Sequence, residues 1–195
     1  MMTNVEVARA IAAQFHCSLS REQIHELASI LTCKKYKKGE RILDAGDICK
    51  SMLYIEKGMT RQFYFKYNKD LTEHIGYEGG IVVCLESFLK QEPTHLMVET
   101  LEPTLLWEIP KEGMDRLSLI DAEIGVLYRK FFEFFLIDSQ VKADTLRFEP
   151  AHERYSKLLQ LHPEILKRAP LVYIASLLQM TPETLSRVRS ASLNS

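Results

Sequence analysis

Apolar positions change their period twice along the chain, and each change marks a different kind of element. Over residues 3–32, Val7, Ile11 and Phe15 recur at helical spacing. A second helix follows Ser20, which can cap it while Gln23 reaches back, with Ile24, Leu27, Ile30 and Leu31 on one face. From 33 to 110 the period shortens. The segments 41–43, 52–55, 61–67, 71–77, 96–101 and 105–109 read as strands, parted by turn signals at Lys38-Gly39, Ala45-Gly46-Asp47, Lys57-Gly58, Asn68-Lys69-Asp70 and Glu102-Pro103. Short strands at such spacing predict a β-sandwich or barrel. Over 111–148, Ile120, Ile124, Leu127, Phe131, Phe134 and Val141 step by 3, 4 or 7 residues, close to a heptad seam. Further apolar residues at Phe132, Phe135, Leu136 and Ile137 make this helix greasy on several faces, so it should be buried on more than one side.

The last section, 149–195, carries the sharpest pattern. A helix bearing Leu158, Leu159 and Leu161 ends at Pro163, a short segment carries Ile165 and Leu166, and Pro170 opens a helix burying Ile174, Ala175, Leu177 and Leu178. After a turn at Met180-Thr181, Thr181 is placed to cap a helix whose first residue is Pro182 and whose inner face is Leu185 and Val188. Two short helices joined by a tight turn, with Ala175 permitting a close crossing, read as a helix-turn-helix.

Charge sharpens this reading. The 195 residues carry a formal net charge of −1, which excludes a uniformly basic coat. Residues 151–195 nevertheless hold six Lys/Arg against three acids, a net of +3, so residues 1–150 carry −4. A basic end behind an acidic body suits a nucleic-acid module attached to a sensing domain. Hydrophobic residues at 46% and charged residues at 26% allow a real core. The N-terminus has no basic start or apolar run of secretory type, and no stretch is long enough for a membrane helix, so the expected location is cytoplasmic. Cys17, Cys33, Cys49 and Cys84 are widely spaced and the six histidines show no metal-type pairing, so free, mostly buried thiols and no metal are expected.

In a helix-turn-helix, residues near the start of the second helix meet base edges in the major groove. Helical spacing puts Glu183, Ser186 and Arg187 on one outward face. Arginine can bond guanine O6 and N7 together, and glutamate can accept from the cytosine amino group. Thr181, Lys167, Arg168 and Arg189 suit phosphates, which position a protein without reading sequence.

These residues resemble the Crp/Fnr family of bacterial transcription regulators, in the shortened form common in Bacteroidetes. The resemblance spans almost the whole chain. It rests on Lys38-Gly39-Glu40, Ala45-Gly46-Asp47 and Glu56-Lys57-Gly58, and most specifically on Glu153-Arg154-Tyr155, His162-Pro163-Glu164, the stretch from Tyr173 to Leu178, and Thr181-Pro182-Glu183-Thr184-Leu185-Ser186-Arg187. Glu183, Ser186 and Arg187 match the Fnr-type Glu-x-x-Ser-Arg recognition motif. The resemblance implies an α+β chain of three parts. Residues 1–115 would form a cyclic-nucleotide-binding-like jelly roll (a double-stranded β-helix) with N-terminal helices, 116–147 a dimerisation helix, and 148–195 the helix-turn-helix domain. It implies a homodimer on two-fold operator DNA, sealed by Ile120, Ile124, Leu127, Phe131, Phe134 and Val141, and it admits RNA polymerase as a further partner.

Two departures stand out. Gln179 replaces the glycine expected between the two helices. Members that bind cyclic AMP hold its phosphate with an Arg-Ser pair, yet no arginine lies between Gln62 and Arg116, and Glu86 and Glu92 would repel the anion. Cyclic AMP is therefore not the expected effector, and no cofactor is expected. Glu73, His74, Tyr77, Cys84, Glu86 and His95 lie near the expected pocket and would suit an uncharged or cationic molecule, beside the alternative of a filled barrel. Two other readings stay open: a cyclic-nucleotide or other small-molecule receptor acting without DNA, and a cupin-like metal enzyme, for which only His74 with Glu73 or His95 comes close to a ligand set. Gly-x-Ser-x-Gly, P-loop and Rossmann patterns are absent from the sequence, and no enzymatic activity is expected.

Overall fold

A computed structural model describes residues 1–193 of the chain. It opens with two helices, α1 (Asn4–Gln14) and α2 (Arg21–Ser29), each started by a reciprocal capping box, Thr3 with Glu6 and Ser20 with Gln23. Eight strands follow: β1 (Thr32–Tyr36), β2 (Arg41–Leu43), β3 (Ser51–Lys57), β4 (Met59–Lys66), β5 (Lys69–Tyr77), β6 (Ile81–Val82), β7 (Met97–Thr100) and β8 (Thr104–Pro110). They form two antiparallel four-stranded sheets, ordered β1-β8-β3-β6 and β2-β7-β4-β5, with a short helix α3 (Leu85–Lys90) between β6 and β7. β1 and β6 have no counterpart among the strands read from the sequence. Both are edge strands, where an alternating apolar signal is weakest.

The corner between β3 and β4 needs glycine. Gly58 has φ +103°, and a Cβ there would lie 2.5 Å from the Thr104 hydroxyl and 2.8 Å from the Pro103 carbonyl. β4 and β5 then form a hairpin whose turn is Tyr67-Asn68, both at positive φ, one step earlier than the sequence signal at Asn68-Lys69-Asp70.

β4 is buried on both faces, which alternation alone does not predict. Gln62 points into the barrel and donates to the Val83 carbonyl at 3.0 Å. Met59, on the other face, belongs with Ile75 of β5 to a second core shared with the C-terminal helices. The first core lies between the sheets and continues under α1, α2 and the helices after β8.

Those helices are two. The sequence predicts one dimerisation helix over 116–147, whereas the structure has α4 (Lys111–Ile120) and α5 (Ala122–Phe148). Asp121 makes the break: it adopts an extended backbone and its carboxylate accepts from Glu123 and Ile124 amides, capping a new helix. The predicted seam is also redrawn. Ile124, Leu127 and Phe131 have no exposed surface, and the Phe131 ring stands edge-on to Phe15 at 4.6 Å, so these three residues seal the protomer itself. Ile120 is exposed but belongs to α4, before the break. Phe134, Ile137 and Val141 face outward at 45%, 64% and 57% exposure, and Phe148 continues their heptad spacing.

The chain ends in α6 (Ala151–Leu161), α7 (Pro163–Arg168), α8 (Leu171–Leu177) and α9 (Pro182–Leu193). Among the described residues, no helix is long and apolar enough to cross a membrane.

Candidate nucleic-acid interface and barrel cavity

The turn between α8 and α9 is built by named hydrogen bonds. Leu178 ends α8, Gln179 takes the left-handed conformation at φ 51°, and the Gln179 and Met180 amides bond back to the Ser176 and Ala175 carbonyls at 3.0 and 2.9 Å. This is a Schellman closure, normally completed by glycine. Thr181 then caps α9, accepting from the Thr184 amide at 3.2 Å, and Pro182 is its first residue. Leu185 is buried with Ile174, Ala175 and Tyr155.

This packing fixes what α9 presents. Glu183, Ser186, Arg187 and Arg189 are all exposed, and Arg187 reaches back to Thr184 Oγ1 at 3.4 Å. Glu183 is held below its ordinary value by the backbone amide at the helix start, then by the Thr181 hydroxyl and Arg187, so it stays an acceptor. The structure thus brings Thr181, Glu183, Ser186 and Arg187 together on one helix end.

Arg154 supports this unit from behind. Its guanidinium donates to the Glu149 carbonyl at 2.7 Å, where α5 ends, and to the Leu178 carbonyl at 2.9 Å and the Gln179 carbonyl at 3.4 Å in the turn. One side chain therefore satisfies carbonyls left over at two helix ends. The Glu153-Arg154-Tyr155 motif marked the place, although its role in the turn was not legible from sequence.

The remaining basic residues are occupied. Lys157 pairs with Glu149, and Lys167 pairs with Glu164 at 2.7 Å. Arg168 reaches the loops at the barrel surface, bonding Glu78 at 2.7 and 2.9 Å and also Glu102. In this arrangement its guanidinium is unavailable to a phosphate. Among the described residues from 151 onward, the positive charge that is exposed and not paired with a carboxylate is on α9, at Arg187 and Arg189.

Arg168 belongs to a polar junction between the C-terminal helices and the β4–β5 hairpin. Arg61 is its centre, with only 1% exposure. Its guanidinium lies between the rings of Phe63 and Tyr173, 3.9 and 3.6 Å from their centroids. It meets Asp70 at 2.7 Å and Glu99 at 3.1 Å. Around it, the Ser176 hydroxyl accepts from the Thr72 amide at 2.8 Å, which covers the edge of β5. The Tyr77 hydroxyl meets His162 Nδ1 at 2.9 Å, and Lys142 of α5 pairs with Glu73. Burial pushes His74 below its ordinary value, with Asp138, Lys142, His162 and Glu73 around it. Glu78 is drawn down to about 2 by its bond to Arg168.

The predicted effector residues are not assembled around one space. Glu73, His74 and Tyr77 belong to this junction. Glu86 pairs with Lys90 on the surface, and His95 stacks edge-on with Tyr64 at 5.6 Å. Only Cys84 lines a cavity, a space of about 160 Å³ between the sheets that also meets Leu43, Cys49, Leu53, Val83 and Val98. Pockets for drug-sized ligands usually run from about 300 to 1,000 Å³. Lys50 and Glu108 are the charged residues on its wall, and no arginine reaches it. Among the described residues no three metal-type ligands cluster.

Comparison with known proteins places this geometry. Residues 33–121 match the model of the cyclic nucleotide-binding domain family. No curated protein sequence matches the chain. Among solved structures, FixK2 from Bradyrhizobium japonicum is 19% identical with a TM-score of 0.68, over 83% of this chain and 84% of that one. The catabolite activator protein of Thermus thermophilus is 20% identical with a TM-score of 0.57, over 92% and 86%. A transcriptional regulator from Eubacterium rectale assigned to the Crp/Fnr family is 18% identical with a TM-score of 0.64, over 90% and 85%. The chain has the fold of the Crp/Fnr transcription regulators: a cyclic nucleotide-binding domain of jelly-roll form, a long helix, and a helical C-terminal unit.

Proposed function

We propose that the protein is a dimeric, sequence-specific DNA-binding transcription regulator. The observation that carries this reading is α9, capped at Thr181 and backed by α8, which offers Glu183, Ser186 and Arg187 together at its exposed N-terminal end. Arg187 would read guanine and Glu183 cytosine, with Thr181 and Arg189 on the flanking phosphates. Lys167 and Arg168 would join them only after giving up Glu164, Glu78 and Glu102. Phe134, Ile137, Val141 and Phe148 form the outward stripe on α5 where a second copy would pack, and the two-fold operator follows from that symmetry. The protein would act in the cytoplasm, without enzymatic activity.

Cyclic AMP does not suit the barrel cavity. The space is small and offers the phosphate no arginine, while Arg61 is spent on Asp70 and Glu99 on the sheet's outer face. A signal would work by favouring one of two placements of the C-terminal helices, docked as described or released, through differential affinity for the two.

Selection of bound sequences from a random duplex library tests this reading. At about 150 mM salt, where phosphate-only binding is weakened, a palindrome with half-sites about ten base pairs apart is expected, with or without cyclic AMP. Arg187→Ala should lose about 1–3 kcal/mol on that site and little on random DNA. Equal losses on both would remove Arg187 from base reading, and enrichment only with cyclic AMP would overturn the cavity argument.

A further inference from the structure

Two of the four cysteines meet where the sequence gives no reason for them to meet. Cys49 lies just before β3 and Cys84 sits at the start of α3, yet both line the same barrel cavity and each thiol shifts the other's proton affinity. Each thiol is held in place by further contacts. Cys49 Sγ donates to the Ser51 carbonyl at 3.4 Å, and Gln62 Nε2 donates to Cys84 Sγ at 3.4 Å. The backbone of Cys49 is fastened to α3: its amide donates to Ser87 Oγ at 2.9 Å, and its carbonyl accepts from Gln91 Nε2 at 3.2 Å. Cys17 and Cys33 stand apart and partly exposed.

We infer that Cys49 and Cys84 are a thiol redox site, which a small hydroperoxide entering the barrel cavity oxidises to an intramolecular disulfide. The cavity is about 160 Å³, ample for hydrogen peroxide, and its other walls are mostly apolar. The two thiols differ in a way that assigns their parts. The neighbouring Cys84 thiol favours the thiolate at Cys49, drawing its pKa down, while Cys49 and burial push that of Cys84 up.

Cys49 is then the attacking sulfur. Its thiolate takes the outer oxygen of the peroxide, the O–O bond breaks, and the departing oxygen leaves protonated as water or an alcohol. Cys49 is now a sulfenic acid. Cys84 attacks that sulfur, and its proton leaves with the hydroxyl as a second water. Two thiols are oxidised and one hydroperoxide is reduced, with no other reactant. Because Cys84 opens α3 and Cys49 is tied to that helix at Ser87 and Gln91, the bond would form within one side of the cavity. The inference stands apart from the DNA-binding reading.

The test uses the full chain carrying Cys17→Ser and Cys33→Ser, so that only the pair remains, treated with one equivalent of hydrogen peroxide. The expected product is a single chain on denaturing gels without reductant, is lighter by two hydrogens, has no thiol left to alkylate after denaturation, and recovers both thiols with dithiothreitol. Its peptide map without reductant joins the Cys49 and Cys84 peptides. Oxygen adducts without the link, disulfide-joined dimers, or two thiols still open to alkylation would each overturn the inference. If the double variant fails to fold, the same map on the unaltered chain decides the matter, because only a Cys49–Cys84 link supports the site.

Discussion

The barrel and its junction with the C-terminal helices are held together by different physics. Within the barrel and under α5, Phe88, Leu106, Ile109, Leu127 and Phe131 are sealed from water, and their stabilisation is non-directional apolar burial. At the junction the same β4 strand turns its other face outward: Met59 and Ile75 share a small apolar core with the C-terminal helices, and around it Arg168 pairs with Glu78 and Glu102, Lys142 pairs with Glu73, and Tyr173 covers Arg61. Apolar burial does not depend on salt or proton concentration in the way ion pairs do. The difference predicts that salt and acid weaken the junction before they weaken the barrel.

The largest effects should come from the cores on either side of this contrast. Phe131→Ala removes a fully buried ring from between α5 and α1 and should cost about 3–5 kcal/mol in urea unfolding, independent of salt. Arg61→Ala leaves Asp70 without its cation and Glu99 with only Arg41 at 3.9 Å, and should approach about 3 kcal/mol, at the lower end for a buried pair because Asp70 is partly exposed. Its loss should appear first as release of the C-terminal helices, seen as cleavage near Glu149 by limited proteolysis. If barrel and junction unfold together in both variants at every salt concentration, the two are one cooperative unit and the contrast fails.

A smaller effect, about 1 kcal/mol, is expected for Arg168→Ala, since its carboxylate partners Glu78, Glu102 and Glu164 all remain partly exposed. Acid should act on the same contacts. Glu78 is drawn down to about 2 from an ordinary 4.5, so its contribution is complete above 4.5 and is lost as pH falls towards 2. His74 is also depressed, from 6.5, because burial disfavours its charged form. Its contribution is present above 6.5 and is lost as pH falls through its lowered value. Acidification should therefore open the junction in two steps, the histidine first. In Arg168→Ala the lower step should shrink and the upper one persist. An unchanged lower step would mean that Glu78 does not report on docking.

What was legible in the sequence follows the same division. Local chemistry read correctly: the boxes at Ser20 and Gln23, the Thr181 cap and Pro182 all act within four residues. The exposed end of α9 was legible for the same reason, because helical period alone places Glu183, Ser186 and Arg187 together. The junction was not. Arg61 meets Tyr173 from the far end of the chain, and a buried arginine on a strand looks like a solvent-facing one until the covering helix is known. The α5 seam went astray for a related reason. A helix apolar on several faces does not say which face its own domain consumes, and Phe15 had already claimed Phe131. The thiol pair also depends on contacts between residues far apart in the chain, and spacing carries no trace of it.

The smallest expected change is a gain, and it separates the turn from the docking contacts around it. Gln179 sits at φ 51°, a conformation that costs a residue with a Cβ about 1–2 kcal/mol. Glycine removes that strain but loses more freedom on folding, about 0.5–1 kcal/mol, so Gln179→Gly should stabilise by about 0.5–1 kcal/mol net. The contacts that close the turn survive the change, because Arg154 bonds the Gln179 carbonyl and the Schellman bonds use backbone groups. The gain should therefore appear in local opening of α8 and α9, as slower amide exchange at Met180, and not in the barrel. Specific DNA affinity should stay the same, because residue 179 precedes the cap and does not share the face of Glu183, Ser186 and Arg187. Faster exchange at Met180 would mean that the glutamine side chain contributes more to the turn than its backbone strain removes. A slowing that spread into β4 and β5 would mean that turn and junction open as one, and the two regions would then have to be treated as a single mechanical unit.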